Sequence, residues 1–414
     1  MQTKGNRQIT VNSFTYALVI CMNFWAFAFG EILGTGGMVA VSSMIVACLF
    51  VNILYVNTIK VSVRWLFMAS LLVAFYQFSP NTDLEKTEFF CYIVVSCIAA
   101  LYAVDTEKVL RYVTYFSVLL LVFTTQIFAQ LSRQGIYGEG KNVMGLSYAI
   151  LPIVIAGLTH FIYYRKKANF LLKICYVTDT VYTFILFMYA NRGVVLTLLV
   201  VFVLLYIKKF GSKSSKKNNV FRVIVVLAVA IFVANNYMLI FEWLNNILLS
   251  FDIKLDFIQK TLRLKKDISN GRDEITQYVV ENIFKSPLWG HGISVIRYNT
   301  NGVIDYPHNF ILQLFYDGGI LLAVPVLYFV IKMLWHAIWG ENNDKTILLV
   351  FFCLTCLPKM FFSTNMWENP SFWLLLFNYI QFDIGNFKIR KKQINIQTQP
   401  EQMYKCGEIK MVAR

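Results

Sequence analysis

V-M-G-L-S-Y-A-I-L-P-I-V-I-A-G-L-T-H-F-I-Y, residues 143–163, holds no Asp, Glu, Lys or Arg and runs straight into Tyr164-Arg165-Lys166-Lys167. Wound as an α-helix at ~1.5 Å per residue, it is long enough to cross the ~30 Å hydrocarbon core of a bilayer. The basic stop behind it reads as the end held at the cytoplasmic surface. Working outward, apolar runs recur at 13–32, 36–57, 63–80, 88–104, 109–131, 170–190, 193–208, 221–243, 319–338, 346–363 and 371–387. Together they predict an all-α, polytopic membrane protein of about twelve transmembrane helices.

Composition agrees. The 414 residues are 57% hydrophobic and only 15% charged, with mean hydropathy +0.56, whereas a soluble domain is about a quarter charged. A soluble globular enzyme is excluded. The first apolar run, Phe14 to Phe29, leads into further spans and so reads as a span itself, not as a cleaved leader.

The net charge of +15 comes mainly from short segments between spans. With the N-terminus inside, the inner segments hold most of the 38 Lys and Arg, among them Arg165 to Lys167, the basic linker 211–219 and the tail from 388 to 414. The short outer loops hold only Lys86, Arg133, Lys141 and Arg192. This bias predicts both termini in the cytoplasm. No nucleic-acid motif accompanies the charge, so no nucleic-acid partner is expected. Cys353 and Cys356 lie within an apolar run without a matching pair, and the cysteines read as packing residues.

Four regions follow: N-terminal transmembrane helices over 1–243, about nine spans; an extracytoplasmic loop over 244–308; C-terminal transmembrane helices over 309–387; and a cytoplasmic basic tail over 388–414. Within the loop, Ile253 to Lys266 is predicted as an amphipathic helix with Leu255, Phe257, Ile258 and Leu262 toward lipid. Asn270 is a candidate cap for a helix that begins near Arg272 and ends before Pro287. Ile275, Tyr278, Val279 and Ile283 share one face of it. Gly290, Gly292, Gly318 and Gly319 permit unusual backbone, and His308 to Asp317 reads as a partial or re-entrant element before the next full span.

The polar groups converge on one side. Arg192 stands at the outer end of a span; Arg272, Lys285, His291 and Arg297 lie in the loop; His308 and Asn309 sit where it re-enters; Arg133 and Lys141 occupy another outer loop. Glu368 and Asn369, in N-M-W-E-N-P, face the same side as sugar contacts. Guanidinium groups grip phosphate oxygens in pairs, and a neutral His can take a proton from a hydroxyl near pH 7. Each also has a plain structural reading. Arg192 and Lys359 can snorkel to the interface, Arg272 can simply start a helix, His291 can serve its turn, and Asp179 within a span can be a structural hydrogen bonder.

The pattern N-R-G (191–193), G-R (271–272), S-P-L-W-G-H-G (286–292), P-H-N-F-I-L-Q (307–313) and D-G-G-I (317–320), with G-K-N-V-M-G-L (140–146) before it, resembles the O-antigen ligase and O-antigen/capsule polymerase superfamily of Wzy type. Asn191 stands where many relatives carry Ser. The resemblance implies a GT-C-like helical fold in the cytoplasmic (inner) membrane. It implies no metal and no cofactor, and a polyprenyl-diphosphate-linked oligosaccharide as donor at the outer face. It implies catalytic roles for Arg192 and Arg272 on the diphosphate and for His308 as base. Arg133, Asn142, Lys285, His291, Asn309 and Glu368 are the substrate-binding candidates. Polymerisation of lipid-linked repeat units is the leading expectation, and ligation of glycan to a separate acceptor such as lipid A-core the runner-up. A lipid-linked glycan flippase is the third. A partner flippase and a chain-length regulator are implied alongside membrane lipid.

Overall fold

The computed structural model describes residues 2–33, 37–55, 61–77, 79, 89–124, 143–189, 192–211, 239–250, 258, 262, 272–340, 343–362 and 364–382. Lys86, Arg133, Lys141, Asn142, Asn191, Asn270, the linker 212–219 and the tail from 388 lie outside the described residues, as does most of 253–266.

Every regular element among the described residues is helical. In chain order they are α1 (Gln2–Ile20), α2 (Met22–Leu33), α3 (Gly37–Tyr55), α4 (Val63–Gln77), a π-helical turn (Phe89–Val94) running into α5 (Val95–Ala99), and α6 (Thr106–Tyr115) with further helix over 117–124. Then come α7 (Val143–Tyr164), α8 (Phe170–Tyr189), α9 (Arg192–Gly211) and α10 (Leu239–Ser250). The last are α11 (Arg272–Ile283), α12 (Val295–Asn299), α13 (Phe310–Trp339), α14 (Asp344–Phe362) and α15 (Pro370–Phe382). Two stretches, Gly145–Lys167 and Phe310–Trp339, are long and apolar enough to cross a membrane, and the pair Arg7–Ile20 and Met22–Phe29 makes a third if counted as one span.

Several expected boundaries move, each for a local reason. The run at 13–32 is one apolar stretch but two helices, bent by 67° at Cys21. A side chain from another helix holds the break: Ser371 Oγ donates to the Ile20 carbonyl at 3.1 Å. The helix expected from 109 begins at Thr106, because Asp105 accepts from the Lys108 N–H at 3.1 Å as its N-cap. Helix α10 continues to Ser250, beyond the expected loop start at 244. Ile258 does not face lipid. It is fully buried with Val195 on the first turn of α9, and Leu262, Phe241, Leu244 and Leu248 pack on the pair.

The helices run end to end, and their hydrogen bonds define two ends of the bundle. At one end the start of α6 meets the start of α14 (Thr106 Oγ1 to the Asp344 carbonyl, 2.8 Å). The end of α7 joins them through Tyr164 OH to Asp344 Oδ1 at 2.7 Å, and the end of α9 joins α13 through Lys208 Nζ to the Ile338 carbonyl at 3.0 Å. The N–H of Ser62, before α4, donates to Gln381 near the end of α15. The opposite end therefore receives the last turn of α4 and the first turns of α7, α9, α13 and α15. There the Ile293 N–H donates to Ser79 Oγ at 2.9 Å.

Between the ends lies an apolar core that includes Phe310, Leu322, Phe351, Phe372 and Trp373, while Val324, Tyr328 and Ile331 of α13 point outward as a lipid-facing stripe. Some polar side chains inside the bundle pair with one another, as Thr124 and Tyr182 do at 2.8 Å. Asp179 accepts from Ser117 Oγ at 2.6 Å and packs directly on Gly157, which fits its structural reading. Lys359 departs from expectation. It is 3% exposed, buried beside Cys21 and Cys356 at the α1–α2 bend, and does not snorkel.

Candidate active site

Helix α11 begins at Arg272 and ends at Ile283, as the sequence predicts. Its apolar face is the expected one. Val279 is fully buried with Ile296 and Tyr316, and Ile275, Tyr278 and Ile283 pack against them. This small core fastens the polar segment to α13.

The glycines make the second fastening. Helix α13 breaks at Gly319, whose φ of 55° and ψ of −161° lie outside helical space. A break frees backbone donors and acceptors that must find partners when buried. The loop 286–292 supplies all four. The His291 and Gly292 N–H groups donate to the Tyr316 and Asp317 carbonyls, both at 2.8 Å. The Ile320 and Leu321 N–H groups donate to the Pro287 and Leu288 carbonyls at 2.9 and 3.2 Å. Only glycine fits on either side of this lock. A Cβ on Gly319 would lie 2.4 Å from the Leu288 carbonyl oxygen, and one on Gly290 would lie 2.6 Å from the Asp317 backbone.

His291 belongs to this lock. Its Nε2–H donates to the Asn282 carbonyl at 2.9 Å and its ring lies 4.6 Å from that of Tyr316. Lys285 is exposed and donates to Asn282 Oδ1 at 3.0 Å. The side-chain oxygen of Asn309 caps α13, accepting from the Ile311 and Leu312 N–H groups.

Two further residues of α13, one turn apart, hold the loop 364–369. Gln313 donates to Asn365 Oδ1 at 2.6 Å and accepts from the Met366 N–H at 3.0 Å. Asp317 accepts from Trp367 Nε1 at 2.6 Å, and Trp367 stacks on Trp373. Asn365 in turn donates to Glu368 Oε1 at 2.9 Å, which fixes that carboxyl at the same end of the bundle.

These fastenings bring Arg272, Tyr306, His308 and Glu368 into one electrostatic neighbourhood. His308 is half-buried and takes a positive φ of 54° between Pro307 and the capping Asn309, a conformation uncommon outside glycine. Its ring lies 4.3 Å from that of Tyr306. Burial holds its pKa below the usual imidazole range, the Arg272 guanidinium pushes the same way, and Asp305 opposes both. Burial pushes the Tyr306 phenol up to about 12, with Glu368 and Tyr148 adding to the rise and Arg272 opposing it. Burial likewise raises the Glu368 carboxyl, against the Asn365 hydrogen bond and Arg297. Arg297 itself reaches Asp305 at 3.6 Å. His308 Nδ1 is buried and has no hydrogen-bond partner among the described residues. Arg192 is the first residue of α9, and its backbone lies at this same end.

Of the residues read from sequence, Arg272, His308 and Glu368 are thus brought together, while Lys285, His291 and Asn309 are engaged in local structure. Sequence reading missed Tyr306, Gln313, Asp317, Asn365 and Trp367. Gln313 and Asp317 were visible as an i, i+4 pair within the quoted motif, and Tyr306 precedes Pro307-His308 directly.

The fold and this cluster define an all-helical membrane protein with a polar, partly desolvated site at one end of its bundle. Residues 180–327 match the sequence model of a family described as O-antigen ligase. The match supports the O-antigen ligase and polymerase superfamily that the motifs resemble, and with it a glycan-transferring membrane protein of surface polysaccharide synthesis. No curated protein matches the chain.

Proposed function

We propose that this protein moves an oligosaccharide from a polyprenyl-diphosphate carrier to a sugar hydroxyl, and that its acceptor is a second lipid-linked repeat unit, which makes it a polysaccharide polymerase. The observation that carries the reading is His308. Its Nδ1 is buried and has no hydrogen-bond partner among the described residues, in a ring that Arg272 helps keep neutral. A buried polar atom left unpaired is costly, and a substrate hydroxyl in that position would satisfy it.

In this mechanism the acceptor oxygen attacks the anomeric carbon as its proton passes to His308. The bond from that carbon to the diphosphate oxygen breaks, and the electron pair leaves with the diphosphate. Arg272 and Arg192 stabilise the charge that develops on the leaving group. One direct displacement inverts the anomeric centre. Tyr306 and Glu368 contact the sugars. The proposal includes about twelve spans in a GT-C-like arrangement in the inner membrane, both termini cytoplasmic and the His308 end outside.

Ligation to a separate acceptor is the second reading, favoured by the description of the matching family. Reconstituted protein given only the lipid-linked repeat unit separates the two. A ladder of lengthened glycan means polymerase. Product that forms only after a separate acceptor is added means ligase.

The reaction requires neutral His308, so activity falls as pH drops through its pKa, which lies below the ordinary 6.5. Asp305 holds that pKa up, so Asp305→Asn lowers it further. The acid limb of the kcat/KM profile should therefore move to lower pH in Asp305→Asn. A limb that stays in place or moves upward would show that another group controls it.

A further inference from the structure

At the end of the bundle away from His308, a cavity of about 410 Å³ opens between the last turn of α13, the first turns of α14, the end of α15 and the approach to α6. That volume lies within the range of small-molecule sites. Its walls are apolar and aromatic, with Trp335, Trp339, Phe352, Leu375 and Phe382 among them. Trp335 and Trp339 are also open to the outside of the bundle, as Trp is where protein meets the lipid headgroup layer.

The rim is polar and basic. Lys345 lines the cavity, as do His336 and Tyr379, which share a 2.8 Å hydrogen bond, and Lys332 lies 5.9 Å from the Tyr379 ring centroid. Lys208 is held beside the cavity by the Ile338 and Gly340 carbonyls. Exposed Arg165, Lys166, Lys167 and Lys173 stand at the same end. Among the described residues, the nearby acids are Asp344, which accepts from Tyr164, Asp105, which caps α6, and Glu107, which pairs with Arg111. Lys and Arg outnumber them among the described residues at this end, beside a greasy wall.

Apolar walls under a cationic rim fit an anionic amphiphile. We propose that this cavity binds one anionic phospholipid, with its phosphate headgroup at Lys345 and the His336–Tyr379 pair and an acyl chain along Trp335 and Trp339. The site is separate from the His308 cluster and does not rest on the function assigned to it.

Native mass spectrometry of the full-length, detergent-solubilised protein titrated with phosphatidylglycerol or phosphatidylcholine tests this. The first phosphatidylglycerol should bind about tenfold tighter than phosphatidylcholine, since a Lys near an anionic headgroup contributes about 1 kcal/mol, and Lys208 and Lys332 stand near the cavity that Lys345 lines. Lys345→Gln should reduce that preference to about threefold or less. Leu375→Trp, which fills the wall, should reduce retention of both lipids. Inorganic phosphate at matched concentration should not displace the lipid. Equal binding of the two lipids, or a preference unchanged in Lys345→Gln, overturns the proposal. Displacement by inorganic phosphate overturns it as well, because the site would then recognise the anion alone.

Discussion

Replacing His308 with asparagine is expected to slow glycan transfer by about a hundredfold to ten-thousandfold, the range that loss of a positioned general base produces. Asparagine is the informative substitution because it tolerates the positive φ of 54° that the backbone takes here. Alanine would add backbone strain to the loss of the base and blur the result. Asparagine also keeps a polar side chain beside Tyr306 but cannot take a proton from a hydroxyl near neutral pH. The measurement is the single-turnover rate at saturating donor, together with donor affinity. The rate should collapse while donor affinity stays within about threefold, since His308 acts on the acceptor. A rate within a few-fold of the parent would remove His308 from the chemistry.

Gly319→Ala should be nearly as severe, although it removes no chemical group. Its φ of 55° and ψ of −161° belong to a region open essentially to glycine, which costs another residue about 1–3 kcal/mol. The added Cβ would also meet the Leu288 carbonyl oxygen at 2.4 Å, and that carbonyl is one of the four partners in the lock. Relief requires the loop 286–292 to move off α13, and the loop carries the chain on to His308. We expect loss of activity of about a hundredfold or more, with new proteolytic cleavage within 284–309 and the remaining helices intact. Parent-like activity and parent-like proteolysis would show that the lock does not hold the site.

The sequence was most legible where one physical demand dominates. The uncharged run 143–163 had to be a buried or membrane-crossing helix, and the stripe Ile275, Tyr278, Val279 and Ile283 had to pack on something. The glycine pairs announced unusual backbone, and Gly290 and Gly319 do meet. Their partnership was not legible, because backbone hydrogen bonds carry no residue identity. His291 and Asn309 are polar residues in a motif-dense loop, yet one completes the lock and the other caps a helix. Nothing in a residue type separates a polar group that builds a site from one that works in it. The bend at Cys21 and the burial of Lys359 beside it were hidden too, since a continuous apolar run looks the same whether straight or broken.

The candidate site is thus read in two layers. Gly290, Gly319, Gln313, Asp317 and Trp367 are scaffolding that joins three separate segments. Arg272, Tyr306, His308 and Glu368 are what the scaffolding presents, and the first-turn position of Arg192 puts its backbone at the same end.

The most direct test of glycan transfer follows the carrier. Purified protein in lipid vesicles is incubated with a polyprenyl-diphosphate-linked repeat unit and a hydroxyl acceptor, and the polyprenyl lipids are extracted and resolved. Free polyprenyl diphosphate should appear in step with glycan joined to acceptor, with both products falling about a hundredfold or more in Arg272→Ala and in His308→Asn. Intact donor that is neither cleaved nor lengthened, but found in the opposite leaflet of the vesicle, would contradict transfer and make the protein a carrier of lipid-linked glycan instead.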